Sequence, residues 1–188
     1  MNHSENMNSH IHRDPEYQKQ LAKYLFQCIL SEGSKILIFS ILFFTWGLFP
    51  EFLTALILLI LLRTNGGGIH CKHYSSCFLL SFSMLFGNIQ LAHQVILPAP
   101  VMIALSLACM VPGYRMVPVP STNRPEPSRT VVLKSKRNTL LILLALSILI
   151  CRFPDQLFIR IGFWAIMLHI TQLFIAEMLR RKGGKTWT

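Results

Sequence analysis

Six stretches of the chain are dominated by apolar residues, and short polar breaks separate them. These stretches cover residues 35–49, 52–62, 74–87, 95–111, 138–151 and 157–178. The apolar residues follow one another without the alternation of a half-exposed strand or the polar face of a surface helix, which is typical of helices that lie in a membrane. The pattern therefore predicts an all-α, polytopic integral membrane protein with six short transmembrane segments.

The break between the first two segments consists of Pro50 and Glu51. One helix running through both segments would place Glu51 near the middle of the bilayer, where an ionised side chain is costly. We therefore expect two antiparallel segments that turn at Pro50–Glu51. Both are shorter than the roughly 20 residues of a full span, so we expect local thinning of the bilayer or partial burial in protein. Pro98 and Pro100 predict a bent or late start of segment 95–111.

The chain before the first segment divides into a tail and a helix. Residues 1–14 are polar, which predicts a disordered tail. In residues 15–32 apolar side chains recur at helical spacing on one face, and Pro15 suits a first helical position. This pattern predicts an amphipathic helix in the membrane interface, although a helix packed on protein fits it equally well. We expect one membrane domain over residues 15–180, followed by a basic tail over 180–188.

The distribution of charge gives the topology. The 188 residues are 52% hydrophobic and 14% charged, with a mean hydropathy of +0.47 and a net charge of +10. Sixteen of the eighteen Lys and Arg residues lie in four polar regions, 1–35, 63–73, 112–137 and 180–188. Six segments place all four regions on one side, which the positive-inside rule assigns to the cytoplasm. We therefore expect both termini and the basic loop 112–137 to be cytoplasmic.

The basic composition and the cysteines exclude two other classes of protein. No basic patch is interleaved with aromatic residues, so the charge indicates a lipid bilayer and not nucleic acid as the partner. The five cysteines are odd in number and irregular in spacing, and most of them lie in or beside apolar stretches. We therefore expect reduced thiols and not a disulfide framework.

Candidate chemistry is concentrated in residues 63–77, RTNGGGIHCKHYSSC. The three glycines at 66–68 end the preceding apolar stretch and allow backbone conformations that other residues avoid. They are followed by His70, Cys71, His73 and Cys77, and a cysteine with a histidine is the minimum for a thiolate nucleophile and its base. Arg63 would supply a fixed positive charge, and the glycine amides would donate to an oxyanion.

The spacing leaves the base of Cys77 open. On a continuous helix His70 and Cys77 would be about 10 Å apart along the axis, too far for a hydrogen bond. His73 would be a direct neighbour, four residues before Cys77. Local geometry therefore favours His73, unless the chain over 68–72 is not helical and brings His70 back. His70, Cys71, His73 and Cys77 are also four potential metal ligands, but they lack the paired loops of a usual zinc site, and we expect no metal.

Two sequence patterns resemble the accessory gene regulator protein B (AgrB) family. The first is Arg63-x-x-Gly66-Gly67-Gly68-x-His70-x6-Cys77. The second lies in the long loop and is similar to the family's Tyr-x-Pro … Asn-Lys-Pro pattern. Its members here are Tyr114, Pro118, Asn123, Arg124 and Pro125. The resemblance covers about residues 15–180. The loop departs from the family pattern, because Arg124 replaces the usual Lys and Glu126 follows the proline.

The resemblance implies a membrane cysteine endopeptidase of bacterial quorum sensing, without a cofactor. Such proteins remove the carboxy-terminal tail of an AgrD-type precursor peptide at the cytoplasmic face of the cell membrane. Carried over to this sequence, Cys77 is the nucleophile, His70 is the base, and Arg63, Gly67 and Gly68 support them. The acyl-thioester on Cys77 then cyclises to a thiolactone autoinducing peptide. A homodimer is also implied.

The basic residues that follow the second pattern are candidates for holding an acidic precursor tail. They are Arg124, Lys134, Lys136 and Arg137. A solvated basic loop is the simpler explanation of these charges. Two other classes of function remain, a small membrane transporter subunit and a metal-binding membrane scaffold. Transport would require paired ionisable residues inside several segments, for which Arg160 and Glu177 are the few candidates.

Overall fold

The computed structural model describes residues 15–67, 73–117 and 129–182, with the side chains of 30–67, 73–117 and 129–178. Within these ranges the chain is helical, and no strand occurs in them. The helices are α1 (Pro15–Thr45), α2 (Phe49–Gly66), α3 (Tyr74–Gln94), α4 (Ala99–Ala108), α5 (Met110–Met116), α6 (Arg129–Arg152) and α7 (Leu157–Lys182). The all-α class predicted from the apolar pattern is confirmed.

The chain forms two compact units, one up to Thr45 and one from Trp46 onward. In the first unit, α1 is a single helix that contains both the amphipathic stretch 15–32 and most of segment 35–49. It continues through Gly33 and Ser34, where Ser34 Oγ donates to the carbonyl of Ser31 at 3.0 Å. Lys35 forms an ion pair with Glu32 three residues earlier. The interfacial position of residues 15–32 stays a prediction.

The turn before α2 lies earlier than Pro50–Glu51. Gly47 has φ +71° in the short connection that ends α1, and α2 begins at Phe49. Pro50 therefore stands in the first turn of α2, where its missing N–H leaves no intrahelical bond unmade. Glu51 also lies in this turn, where the positive end of the helix dipole favours a carboxylate.

The segment predicted over 95–111 is two helices in series. Helix α4 starts late, at Ala99, after Pro98 in an extended conformation. It ends at Ala108, and α5 continues to Met116 after Cys109. Pro112 explains the break, because it has no N–H to donate to the carbonyl of Ala108 and its ring would clash with that carbonyl in a regular helix.

The second unit is a bundle in which α2 and α7 make the most extensive contact. Near one end, Met102 of α4, Ile150 of α6 and Phe163 of α7 form a buried cluster. Near the other end, the end of α2 and α5 pack against α6 and the second half of α7. Consequently α6 runs antiparallel to α4 and α7. The end of the bundle that contains the end of α2 and the start of α3 is called the loop end below.

Among the residues that the structure describes, four helical stretches are long and apolar enough to cross a membrane. They are Phe49–Gly66, Tyr74–Gln94, Ala99–Met116 and Leu157–Met178, with α4 and α5 counted as one. Helix α6 does not meet this criterion because its first turns are basic. Its apolar part, 138–151, would be only about 21 Å long at ~1.5 Å per residue, whereas the hydrocarbon core is ~30 Å thick. The exact count of six segments stays a prediction.

Large apolar side chains cover the outer faces of the bundle. On α2, Leu53, Ile57 and Ile60 are 44%, 50% and 46% exposed, and α6 exposes Leu141, Leu144 and Ile148 in the same way. Patches of this kind are rare on soluble monomers but are expected where the solvent is lipid. The exposed faces therefore fit a multi-pass membrane protein.

Candidate active site

The glycine stretch ends α2 as the sequence predicts. Gly66 is the last helical residue, and Gly67 follows with φ +77° and ψ −162°, a conformation that is essentially restricted to glycine. The N–H of Gly67 donates to the carbonyl of Arg63 at 2.9 Å. This amide holds the helix end together, so donation to an oxyanion would require that bond to open. Arg63 is half-buried in the last turn of α2.

Cys77 lies in the first turn of α3, at the same end of the bundle. Its N–H donates to the carbonyl of His73 at 3.1 Å, which closes that turn. The side chain is half-buried and carries a thiol that is not in a disulfide. The first turn of a helix carries a partial positive charge, which stabilises an anion such as a thiolate.

His73 is the exposed residue that precedes α3. Its backbone is extended, with φ −99° and ψ 137°, so it does not continue the helix of Cys77. The helical spacing that favoured His73 as the base assumed that both residues lie on one helix, whereas His73 precedes the helix and its carbonyl accepts from the Cys77 N–H. His70 and Gly68, together with Cys71, lie outside the described residues. The role of His70 therefore stays a prediction.

Of the four basic candidates, three lie on a helix and not in the predicted loop, since α6 begins at Arg129. They are Lys134, Lys136 and Arg137. Lys134 and Arg137 are exposed and three residues apart, so they share a face. Lys136 points to another side, where its Nζ lies 4.8 Å from the centre of the Tyr114 ring in a cation–π contact. Of these three candidates, Lys134 and Arg137 thus form an exposed pair, and Lys136 packs on Tyr114 of the second family-like pattern. Arg124 lies outside the described residues.

A group of buried polar side chains at the loop end was not predicted from the sequence. His169 of α7 is 1% exposed, and an ideal Cβ added to Gly66 would lie 2.5 Å from its Nε2. Thr139 and Gln172 are 1% and 3% exposed. Nearby, Asn138 Nδ2 donates to Asn65 Oδ1 at 3.1 Å, which ties α6 to the end of α2. The available signal was the presence of His169 and Gln172, three residues apart, inside an apolar run.

The described part of the chain is thus a bundle of apolar helices, with a glycine cap at the end of α2 and a half-buried cysteine in the first turn of α3. Its apolar helices fit a multi-pass membrane protein. Residues 4–174 match the family model described as Accessory gene regulator B, AgrB, and the chain belongs to this family. No curated protein and no solved structure matches the chain significantly. Membership supports an accessory gene regulator role in quorum sensing, with an AgrD-type precursor peptide as the partner.

Proposed function

We propose that this protein is a membrane cysteine endopeptidase that removes the carboxy-terminal tail of an AgrD-type precursor and prepares the remaining peptide for cyclisation. The observation that carries the proposal is the position of Cys77, half-buried in the first turn of α3. A thiol at a helix start suits acyl transfer through a thiolate, because the helix start favours negative charge. Family membership supplies the substrate class.

The proposed reaction has two acyl-transfer steps. His70 takes the proton of the Cys77 thiol, and the thiolate attacks the carbonyl carbon at the cleavage point. The C–N bond then breaks, the tail leaves as an amine with the proton from His70, and a thioester joins Cys77 to the peptide. A thiol of the peptide next attacks this thioester, which forms the thiolactone and returns the Cys77 thiol. One thioester replaces another, so acyl activation is kept, provided that water is excluded.

A site at the membrane boundary fits this requirement, because the apolar helices of the bundle limit the access of water. We place the loop end at the cytoplasmic face, where the positive-inside rule puts the basic regions of the sequence. The homodimer implied by the family resemblance belongs to this proposal as well.

Cleavage by two histidine variants tests the proposal. An AgrD-type precursor with an epitope tag at its carboxyl end is co-expressed with the wild type, His70→Ala or His73→Ala, and release of the tag is followed. We expect the wild type and His73→Ala to cut, because His73 lies before the helix of Cys77 in an extended conformation and so lacks the helical spacing that favoured it. His70→Ala should be inactive. A normal rate for His70→Ala together with an inactive His73→Ala would replace His70 by His73 as the base.

We further propose that Lys134 and Arg137 hold the acidic part of the precursor tail. Both are exposed on one face of α6, whereas Lys136 packs on Tyr114. Reversing both charges, Lys134→Glu with Arg137→Glu, should raise the KM for the precursor by about tenfold, since each exposed ion pair is worth up to ~1 kcal/mol. The effect should shrink at high salt.

Arg152→Glu is the matched control for this pair, because Arg152 is an exposed arginine at the opposite end of the same helix. We expect it to leave the KM unchanged. An equal rise in KM for Arg152→Glu, or an unchanged KM for the double reversal, would show that these two cations do not bind the tail.

A further inference from the structure

His169 is a buried histidine whose desolvated ring lowers the stability of the folded protein. It is 1% exposed on α7, and within the described part of the chain neither Nδ1 nor Nε2 has a hydrogen-bond partner. A buried polar atom left without a partner costs about 1–3 kcal/mol, and buried polar groups are normally paired. An apolar residue of similar size would pack here at lower cost, so the imidazole points to a function other than packing.

The histidine lies against the end of α2 at a position where only glycine fits. The ideal Cβ at Gly66 would lie 2.5 Å from Nε2 and 3.2 Å from Cε1 of His169, and 3.6 Å from Cγ2 of Val117. The ring therefore fixes how closely α2 and α7 approach at this point. Gly66 is followed by the Gly67 cap, whose amide is bonded to Arg63 one turn earlier. A shift of the imidazole would therefore displace Gly66, Gly67 and Arg63.

Other buried polar atoms at the loop end also have no partner. Within the ranges that the structure describes, this holds for Oγ1 of Thr139 and for both polar atoms of the Gln172 amide. Gln172 follows His169 by three residues and so lies on the same face of α7. Thr139 lies near Gly113, which begins the turn of α5 that leads to Val117. Buried polar groups without a partner are uncommon, and each calls for a physical explanation.

We propose that His169 is a positioning residue of the peptidase site. Packed on Gly66, it sets where α2 ends and hence where Arg63 and the Gly67 cap stand relative to Cys77, and its ring nitrogens gain a hydrogen-bond partner when the precursor is bound. This inference rests on the proposed function, because it assumes that Cys77 acts on the precursor. It assigns a role to a residue far along the chain from both family-like patterns.

Two substitutions separate a polar role from a packing role. His169→Met fills a similar volume without a hydrogen-bonding nitrogen, whereas His169→Gln places an amide near the position of Nε2. We expect Met to lower the kcat for precursor cleavage by about 100-fold, the size of effect that misplacement by ~1 Å produces, with little change in KM. Gln should retain at least about tenfold more activity than Met.

Thermal stability distinguishes a positioning role of His169 from a purely structural one. Because His169→Met removes two unpartnered buried nitrogens, its thermal midpoint in detergent should equal or exceed that of the wild type while its activity falls. If Met loses stability and activity together, or if Met and Gln cut equally well, the proposal is wrong. Should Met not accumulate, Gln is compared with Asn, whose amide mimics Nδ1, and the contact of Nε2 with Gly66 predicts that Gln is the more active.

The variant Cys77→Ala, assayed in parallel, distinguishes a failure of the role of His169 from a failure of the proposed peptidase function. An inactive Cys77→Ala with a fully active His169→Met overturns only the role of His169. A fully active Cys77→Ala overturns the peptidase itself.

Discussion

Replacing Cys77 by alanine is expected to abolish precursor cleavage, with a loss of about 10⁴-fold or more, because removal of a covalent nucleophile removes the acyl-enzyme route. Serine at this position should be nearly as inactive, since a hydroxyl is far less ionised than a thiol and the site is arranged for a thiolate. The measurement is the release of a carboxy-terminal tag from an AgrD-type precursor by purified protein in lipid nanodiscs, with rates followed from the first minutes.

Two other cysteines give matched controls for this loss. Cys109 lies between α4 and α5 with its Sγ 3.9 Å from Sδ of Met167, and Cys151 is exposed at the end of α6 away from the loop end. Cys109→Ala and Cys151→Ala should keep cleavage close to the wild-type rate. Wild-type cleavage by Cys77→Ala, or complete loss on replacing Cys151, would place the nucleophile elsewhere.

Replacing Gly67 by alanine is expected to lower the thermal midpoint in detergent by several degrees. With φ +77° and ψ −162°, this residue occupies a backbone region in which a Cβ costs about 1–3 kcal/mol. For a chain of this size each kcal/mol corresponds to about 2–4 °C. The hydrogen bond from Gly67 N–H to the Arg63 carbonyl depends on that conformation, so cleavage should fall as well.

Gly87→Ala is the control for Gly67→Ala. Gly87 lies within α3, and a Cβ added there would meet nothing within 4 Å. Because alanine is favoured over glycine in a helix by up to ~1 kcal/mol, this variant should melt at the same temperature as the wild type or above it. Equal midpoints for Gly67→Ala and Gly87→Ala would contradict the strained cap at the end of α2.

The all-helical class and the helix stop at the glycines could be predicted because both depend on local properties of the chain. Long apolar runs leave few alternatives to helices in lipid, and consecutive glycines end a helix wherever they occur. The continuous α1 could not be predicted in the same way, because Gly33 and Ser34 suggest a break but are tolerated in a helix at modest cost. The early start of α6 was likewise concealed by its basic residues, which suggested a loop.

The candidate site was predictable only where its residues are close in sequence. Arg63, Gly67 and Cys77 belong to one passage, and residue type and spacing sufficed to propose a thiol site there. The contact of His169 with Gly66 joins the last helix to the second, and packing between distant helices leaves no local pattern. The polar character of His169 in an apolar run was the available sign.

The most direct test of the central claim is a search for the acyl-thioester on Cys77. Purified protein is mixed with the precursor, quenched in acid within seconds, digested and analysed by mass spectrometry. We predict that the peptide containing Cys77 carries the mass of the precursor without its tail, and that neutral hydroxylamine removes this mass, as it does for thioesters. Tail release without a thioester on Cys77, or with the acyl group on another residue, would contradict the account.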